Sequence, residues 1–182
     1  MEDLSNRTNI LFALIKEFIQ PEFTFLDIGC GFSPLYLGTD LANKIWVNFP
    51  KAAYCGLDTV EKIIEYCKIS HPQYEWICIQ AEKFKIEKKY NFVIHTGIDK
   101  LWSDGWQIHE NLIASEFAPD YIFLEVGGEN RHKNESQEIY DNLISKYQSA
   151  SYHQIQAGAY FWNLKGIKAP WRSFVILGGI NC

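Results

Sequence analysis

The stretch FLDIGCGFSP, residues 25–34, places an acid, two glycines and a serine–proline pair directly behind an apolar run. Glycine adopts backbone conformations that a side chain forbids and lets a ligand lie close against the main chain. Ser33 is a favoured N-cap and Pro34 a favoured first helical residue, so a helix is predicted to start just beyond the turn. A strand, a glycine turn and a helix N-terminus in that order present backbone N–H groups and the positive end of a helix dipole to a ligand. Two acids stand at the ends of apolar runs beside this arrangement, Asp27 in FTFLDIG and Asp58 in AYCGLD. The residues therefore predict a small-ligand site built on bare backbone and flanked by carboxylates.

The elements that must hold these residues alternate. Apolar residues at helical spacing from Ile10 to Ile19 predict an amphipathic helix over 8–19, which Pro21 stops. FTFLDIG is apolar on both faces, as a buried parallel strand is. AYCGLD, YEWICIQ, YNFVIHTG and DYIFLEVGG read as four further strands. Helices are expected over 59–70 from an N-cap-like Thr59, around 107–117 and over about 135–147. Residues 39–52, TDLANKIWVNFPKA, either extend the first crossover helix or insert a loop. The last two strands, SYHQIQAG and RSFVILGGI, have no helix between them and are predicted to pair antiparallel, because a parallel return needs a long crossover. The expected fold class is α/β: a doubly wound, mostly parallel seven-stranded sheet with an antiparallel C-terminal strand pair and helices on both faces. One domain spanning 1–182 is expected.

Composition narrows the function classes. The chain has 182 residues, 47% of them hydrophobic and 21% charged, as in an ordinary globular protein. A net charge of −5 disfavours a general nucleic-acid binder, which needs clustered Lys and Arg. The basic knot from Lys83 to Lys89 is interrupted by Glu82 and Glu87 and reads as a solvated loop. Five cysteines show neither CxxC nor Cys/His spacing, so no metal site is expected and a reducing, cytoplasmic setting is the simple reading. Glu2 and Asp3 are not the basic opening of a signal peptide, and Lys16 and Glu17 break the apolar run before them. Neither a leader nor a membrane span is expected.

With LDIGCGFSP, the Asp58 that ends YCGLD and a final strand pair lacking a helix, the chain resembles the seven-stranded, class I S-adenosylmethionine-dependent methyltransferases over nearly its whole length. A dinucleotide site would need a third glycine where Pro34 stands, so the turn fits a phosphate-free cofactor better than NAD. The resemblance implies S-adenosylmethionine as cofactor and a role for each matching residue. Asp27 would orient its amino-acid end, Gly29, Cys30 and Gly31 would floor the pocket, and Asp58, followed by Thr59, would accept hydrogen bonds from the ribose hydroxyls. Ala81 and Glu82 would border the adenine, with Gln80 as the alternative to Glu82, and Thr96 and Gly97 would lie beneath the reactive methyl. The gap from Gly31 to Asp58 is wider than the ~20-residue interval of compact nucleotide folds.

Three segments should meet at the carboxyl ends of the strands: TGIDKLWSDGW, VGGENRHKN and AYFWNLKGIKAPW. Aromatic walls attract a sulfonium and exclude water, which makes Trp102, Trp106, Tyr160, Trp162 and Trp171 candidates for a substrate chamber, or else plain cover over a sheet edge. In-line methyl transfer needs a base only if the acceptor is protonated. His95 is the candidate for that base unless strand alternation turns it into the core. Asp99 is a second candidate, and Glu125, Arg131 and His132 could hold substrate. No acceptor-specific motif is present, so a small-molecule acceptor is expected without its identity. A cofactor-binding module without catalysis and an NAD-dependent oxidoreductase are the competing readings.

Overall fold

The run Thr24–Ile28 is buried along nearly its whole length, which a strand achieves only when neighbours flank it on both edges and layers cover both faces. In the computed structural model, which describes residues 12–31, 41–95, 115–128, 145, 147–156 and 171–180, this strand, β1, lies in the interior of a seven-stranded sheet. The other strands are β2 (Ala53–Asp58), β3 (Glu75–Cys78), β4 (Phe92–His95), β5 (Tyr121–Gly128), β6 (Tyr147–Gln156) and β7 (Trp171–Ile180). Their order across the sheet is β3-β2-β1-β4-β5-β7-β6. Neighbours from β3 to β5 pair parallel, while β7 runs antiparallel to both β5 and β6. The mostly parallel sheet and the antiparallel terminal pair are as the sequence predicts. The order reverses direction between β1 and β4, the kind of switch point where open α/β sheets bind ligands.

Alternation along the strands divides the core into two layers. One face carries Phe25, Tyr54, Trp76, Phe92, Ile94, Phe123 and Ile176, packed against Ile15 and Ile19, Ala42 and Ile45, and Ile64 and Cys67. Ile15 ends a helical segment α1 (helical over 12–15) and Ile19 follows it past a turn, short of the helix predicted to run to 19; the other residues come from α2 (Leu41–Asn48) and α3 (Glu61–Ser70). The other face carries Leu26, Ile28, Cys55, Leu57, Val93, Ile122, Leu124 and Leu177, covered in part by Ile79, Ala81, Phe84 and Ile86. At the amino ends of the strands Asn91 ties three elements together. Its Oδ1 accepts from the Thr24 N–H at 3.0 Å and its Nδ2 donates to Asp120 at 2.8 Å.

Several boundaries differ from the sequence reading. The helix after β2 begins at Glu61 with Val60, not Thr59, as its N-cap; Asp58 accepts from the Val60 N–H in a turn just ahead of it, and no side chain caps the helix. β6 begins at Tyr147, four residues before the predicted strand and on a residue assigned to the preceding helix. β7 is long enough to give that residue a partner, Tyr147 opposite Ile180. β3 and β4 are shorter than their apolar runs. Within 39–52, α2 occupies eight residues. The predicted helix start at Ser33 and Pro34 and residues 107–114 of the helix expected around 107–117 lie outside the described residues; 115–117 form a bend and turn.

Candidate functional site

The carboxyl ends of β1 and β2 meet in a closed set of hydrogen bonds. After Ile28 the chain turns through Gly29 and Gly31, both left-handed at φ 71° and 56°, a region that side chains disfavour. The Gly29 and Cys30 N–H groups both donate to the Leu57 carbonyl, at 2.8 and 2.9 Å, which docks the turn onto β2. The Gly31 N–H donates to Asp58 Oδ2 at 3.0 Å, and the Val60 N–H to Asp58 Oδ1 at 2.9 Å. Asp58 thus holds the glycine turn with one oxygen and the turn ahead of α3 with the other. Each oxygen keeps a further lone pair, so both can still accept from a ligand. Among the described residues, a Cβ built on Gly31 would meet the Gly29 carbonyl oxygen at 3.7 Å, an ordinary van der Waals contact.

Asp27 lies on the face that carries Phe25 and is only 5% exposed. The hydroxyl of Tyr54, on β2, donates to its Oδ2 in a short hydrogen bond. Burial pushes the Asp27 carboxyl up to about 6, against the Tyr54 hydrogen bond, which holds it down, and with a smaller upward push from the Asp58 charge. Tyr54 is in turn packed between Tyr74 and Trp76, with ring centroids 5.2 and 5.3 Å away. Trp76 fits there because its neighbour across the strands is Gly56, where a Cβ would fall 2.5 Å from the indole. Contact with the Cys67 thiol and burial push the Cys30 thiol far above the ordinary range, which disfavours the thiolate.

The sequence-derived candidates separate into three groups. Asp27, Gly29, Cys30, Gly31 and Asp58 are brought together at the ends of β1 and β2. Thr59 is exposed beside them, Ala81 and Glu82 form a 3₁₀ turn after β3, and Glu82 is exposed with Gln80. That turn is tied to the cluster through the Ile79 N–H, which donates to the Asp58 carbonyl at 2.9 Å. Ala81 itself packs on the opposite face of the sheet, with Ile79 and Phe84. His95 is fully buried on the face opposite to Asp27, in register with Ile28 and Leu124. It occupies the core position that alternation had allowed, not an open strand mouth. Glu125 lies on β5, paired with Phe174 ahead of a register shift, and Trp171 opens β7. Thr96, Gly97, Asp99, Trp102, Trp106, Arg131, His132, Tyr160 and Trp162 lie outside the described residues. Among the described residues no group of three or more His, Cys, Asp or Glu side chains could hold a metal ion.

Many solved structures resemble this chain in fold. A TehB-like SAM-dependent methyltransferase from Corynebacterium glutamicum superposes with a TM-score of 0.61 at 15% identity, over 91% of this chain and 85% of its own. The plantazolicin methyltransferase BpumL, in complex with a triazolic desmethylPZN analog and SAH, gives 0.60 at 15% identity, over 97% and 83%. A candidate rRNA methylase from Clostridium thermocellum gives 0.61 at 14% identity, over 98% of each chain. The chain shares their fold. No family model matches it, and no curated protein matches it either.

The one site residue that sequence reasoning missed is Tyr54. The register of β1 with β2, Phe25 opposite Tyr54 and Asp27 opposite Gly56, puts the phenol and the carboxyl group on one face, and alternation within a single strand does not give that register. No helix among the described residues is long and apolar enough to cross a membrane.

Proposed function

We propose that this protein binds S-adenosylmethionine at the carboxyl ends of β1 and β2 and transfers its methyl group to a small-molecule acceptor. The observation that carries the reading is the closed contact from Gly31 through Asp58 to Val60 beside a buried acid at the sheet's switch point. A nucleoside suits this arrangement because the turn brings bare glycine backbone beside a carboxylate with two acceptor oxygens. Asp58 would hold the ribose hydroxyls, Gly29 to Gly31 the thioether side of the nucleoside, and Asp27 the α-ammonium. The cofactor supplies an electrophilic methyl on a sulfonium; the chain's part is to hold donor and acceptor in line and exclude water. The likeness to solved methyltransferase folds supports the same reading.

With His95 enclosed in the core, the reading assigns no general base among the described residues and is simplest for an acceptor that is unprotonated at working pH. A net charge of −5 favours a small molecule over RNA. Calorimetry with S-adenosylhomocysteine and with NADH tests the binding half. Affinity for the former alone is expected, and binding of NADH alone refutes the reading. Release of S-adenosylhomocysteine from S-adenosylmethionine across a metabolite panel and an RNA pool then tests the transfer half. Binding without any turnover would reduce the protein to a cofactor-binding module, and turnover with RNA alone would overturn the small-molecule acceptor.

A further inference from the structure

We propose that Tyr54 is a positioning residue for the amino-acid end of the cofactor, acting through Asp27; this rests on the reading above, in which Asp27 meets the α-ammonium. The carboxyl group of Asp27 sits among Phe25 and Ile94 at the end of β1, and a carboxylate so enclosed needs a donor. Tyr54 supplies it from the neighbouring strand, donating its O–H to Oδ2. That bond fixes the rotation of the carboxyl group and so also the direction of Oδ1. The phenol can act as a fixed strut because its ring is itself 4% exposed and held by Tyr74 and Trp76. Among the described residues the other titratable groups near Asp27 are Asp58 at the end of β2 and Cys30 in the turn, with Cys67 of α3 against Cys30; β4 places Ile94 in register.

The arrangement has an electrostatic consequence. Burial alone favours the protonated acid, which cannot accept an ammonium proton, and the Tyr54 hydrogen bond counteracts burial by stabilising the ionised form. Loss of the hydroxyl therefore both frees the carboxyl to rotate and raises the pH needed to ionise it.

The test is calorimetric affinity of the full chain for S-adenosylhomocysteine over about pH 5 to 8.5, in wild type, Tyr54→Phe and Asp27→Asn, with 5′-methylthioadenosine as the control ligand lacking the amino-acid moiety. In wild type the affinity for S-adenosylhomocysteine should fall as pH drops through about 6. In Tyr54→Phe the midpoint should move up by roughly one pH unit or more, while affinity for 5′-methylthioadenosine stays within about twofold. An unmoved midpoint, or equal weakening of both ligands, overturns the proposal. Should Tyr54→Phe fail to fold, Asp27→Asn carries the test: weak, pH-independent binding of S-adenosylhomocysteine supports the dyad, and a persisting midpoint near 6 overturns it. A wild-type protein that binds neither nucleoside overturns the cofactor reading itself, an outcome distinct from normal binding with an unshifted midpoint.

Discussion

Replacing Asp58 by Ala removes two hydrogen bonds at once, and the structure assigns them different worth. The bond from the Gly31 N–H is partly buried and joins β2 to the glycine turn; the bond from the Val60 N–H is exposed and closes the turn ahead of α3. A partly buried bond to a charged group contributes about 1–2 kcal/mol and the exposed turn bond about 1 kcal/mol, so the fold should lose roughly 2–3 kcal/mol. For a chain of this length that corresponds to a fall in Tm of about 4–12 °C, readable by differential scanning fluorimetry. Affinity for S-adenosylhomocysteine should fall more steeply. Two ribose hydroxyls lose a charged acceptor, each contact worth about 1.5–3 kcal/mol, which is at least ~100-fold in Kd by calorimetry. Asp58→Asn keeps one acceptor oxygen and should recover part of the Tm but little of the affinity. An unchanged Tm in Asp58→Ala would show that the turn does not depend on the carboxylate, and an unchanged Kd would place the sugar elsewhere.

Three further outcomes follow from particular contacts. Asp27→Asn should stabilise the protein at neutral pH. A carboxyl raised to about 6 in the folded state contributes stability that is complete below the unfolded value near 4 and lost as pH rises through 6, so removing its ionisation is worth on the order of 3 kcal/mol at pH 7. Urea unfolding at pH 4 and pH 7 checks this, and equal effects at both would refute it. Gly56→Ala should destabilise by about 1–3 kcal/mol, since the new methyl falls 2.5 Å from a Trp76 indole that is anchored by its N–H to the His71 carbonyl at 2.9 Å. A wild-type near-ultraviolet circular dichroism spectrum and Tm in that variant would contradict the packing. Asn91→Ala should cost about 1–3 kcal/mol in urea unfolding, because the Thr24 N–H loses its acceptor and Asp120 a donor; a loss below the error of the midpoint would contradict it.

Much of the frame is legible in the residues themselves. Strand β1, β2 and β5 are apolar runs ended by an acid or glycine, and the lack of a helix between the last two strands announces their antiparallel pairing. Legibility falls where tertiary partners decide. Thr59 has the side chain of a cap, yet the helix starts a residue later, past a turn in which Asp58 accepts from the Val60 N–H. Tyr147 fits a helical stripe, and only the length of β7 claims it for a strand. The alternation that correctly puts Asp27 beside the turn leaves the orientation of His95 open, and the register of β4 with β1 and β5 turns it inward. Tyr54 reads as an ordinary strand aromatic until the register places its hydroxyl on Asp27.

The position of β7 has a consequence for synthesis. β6 sits at the rim of the sheet and touches it only through β7, which is translated later. A nascent chain can assemble the five parallel strands as they emerge, at about 5–20 residues per second. β6 must wait, unpaired on both sides, until β7 slots between it and β5. Through that interval β6 offers both of its edges to wrong partners.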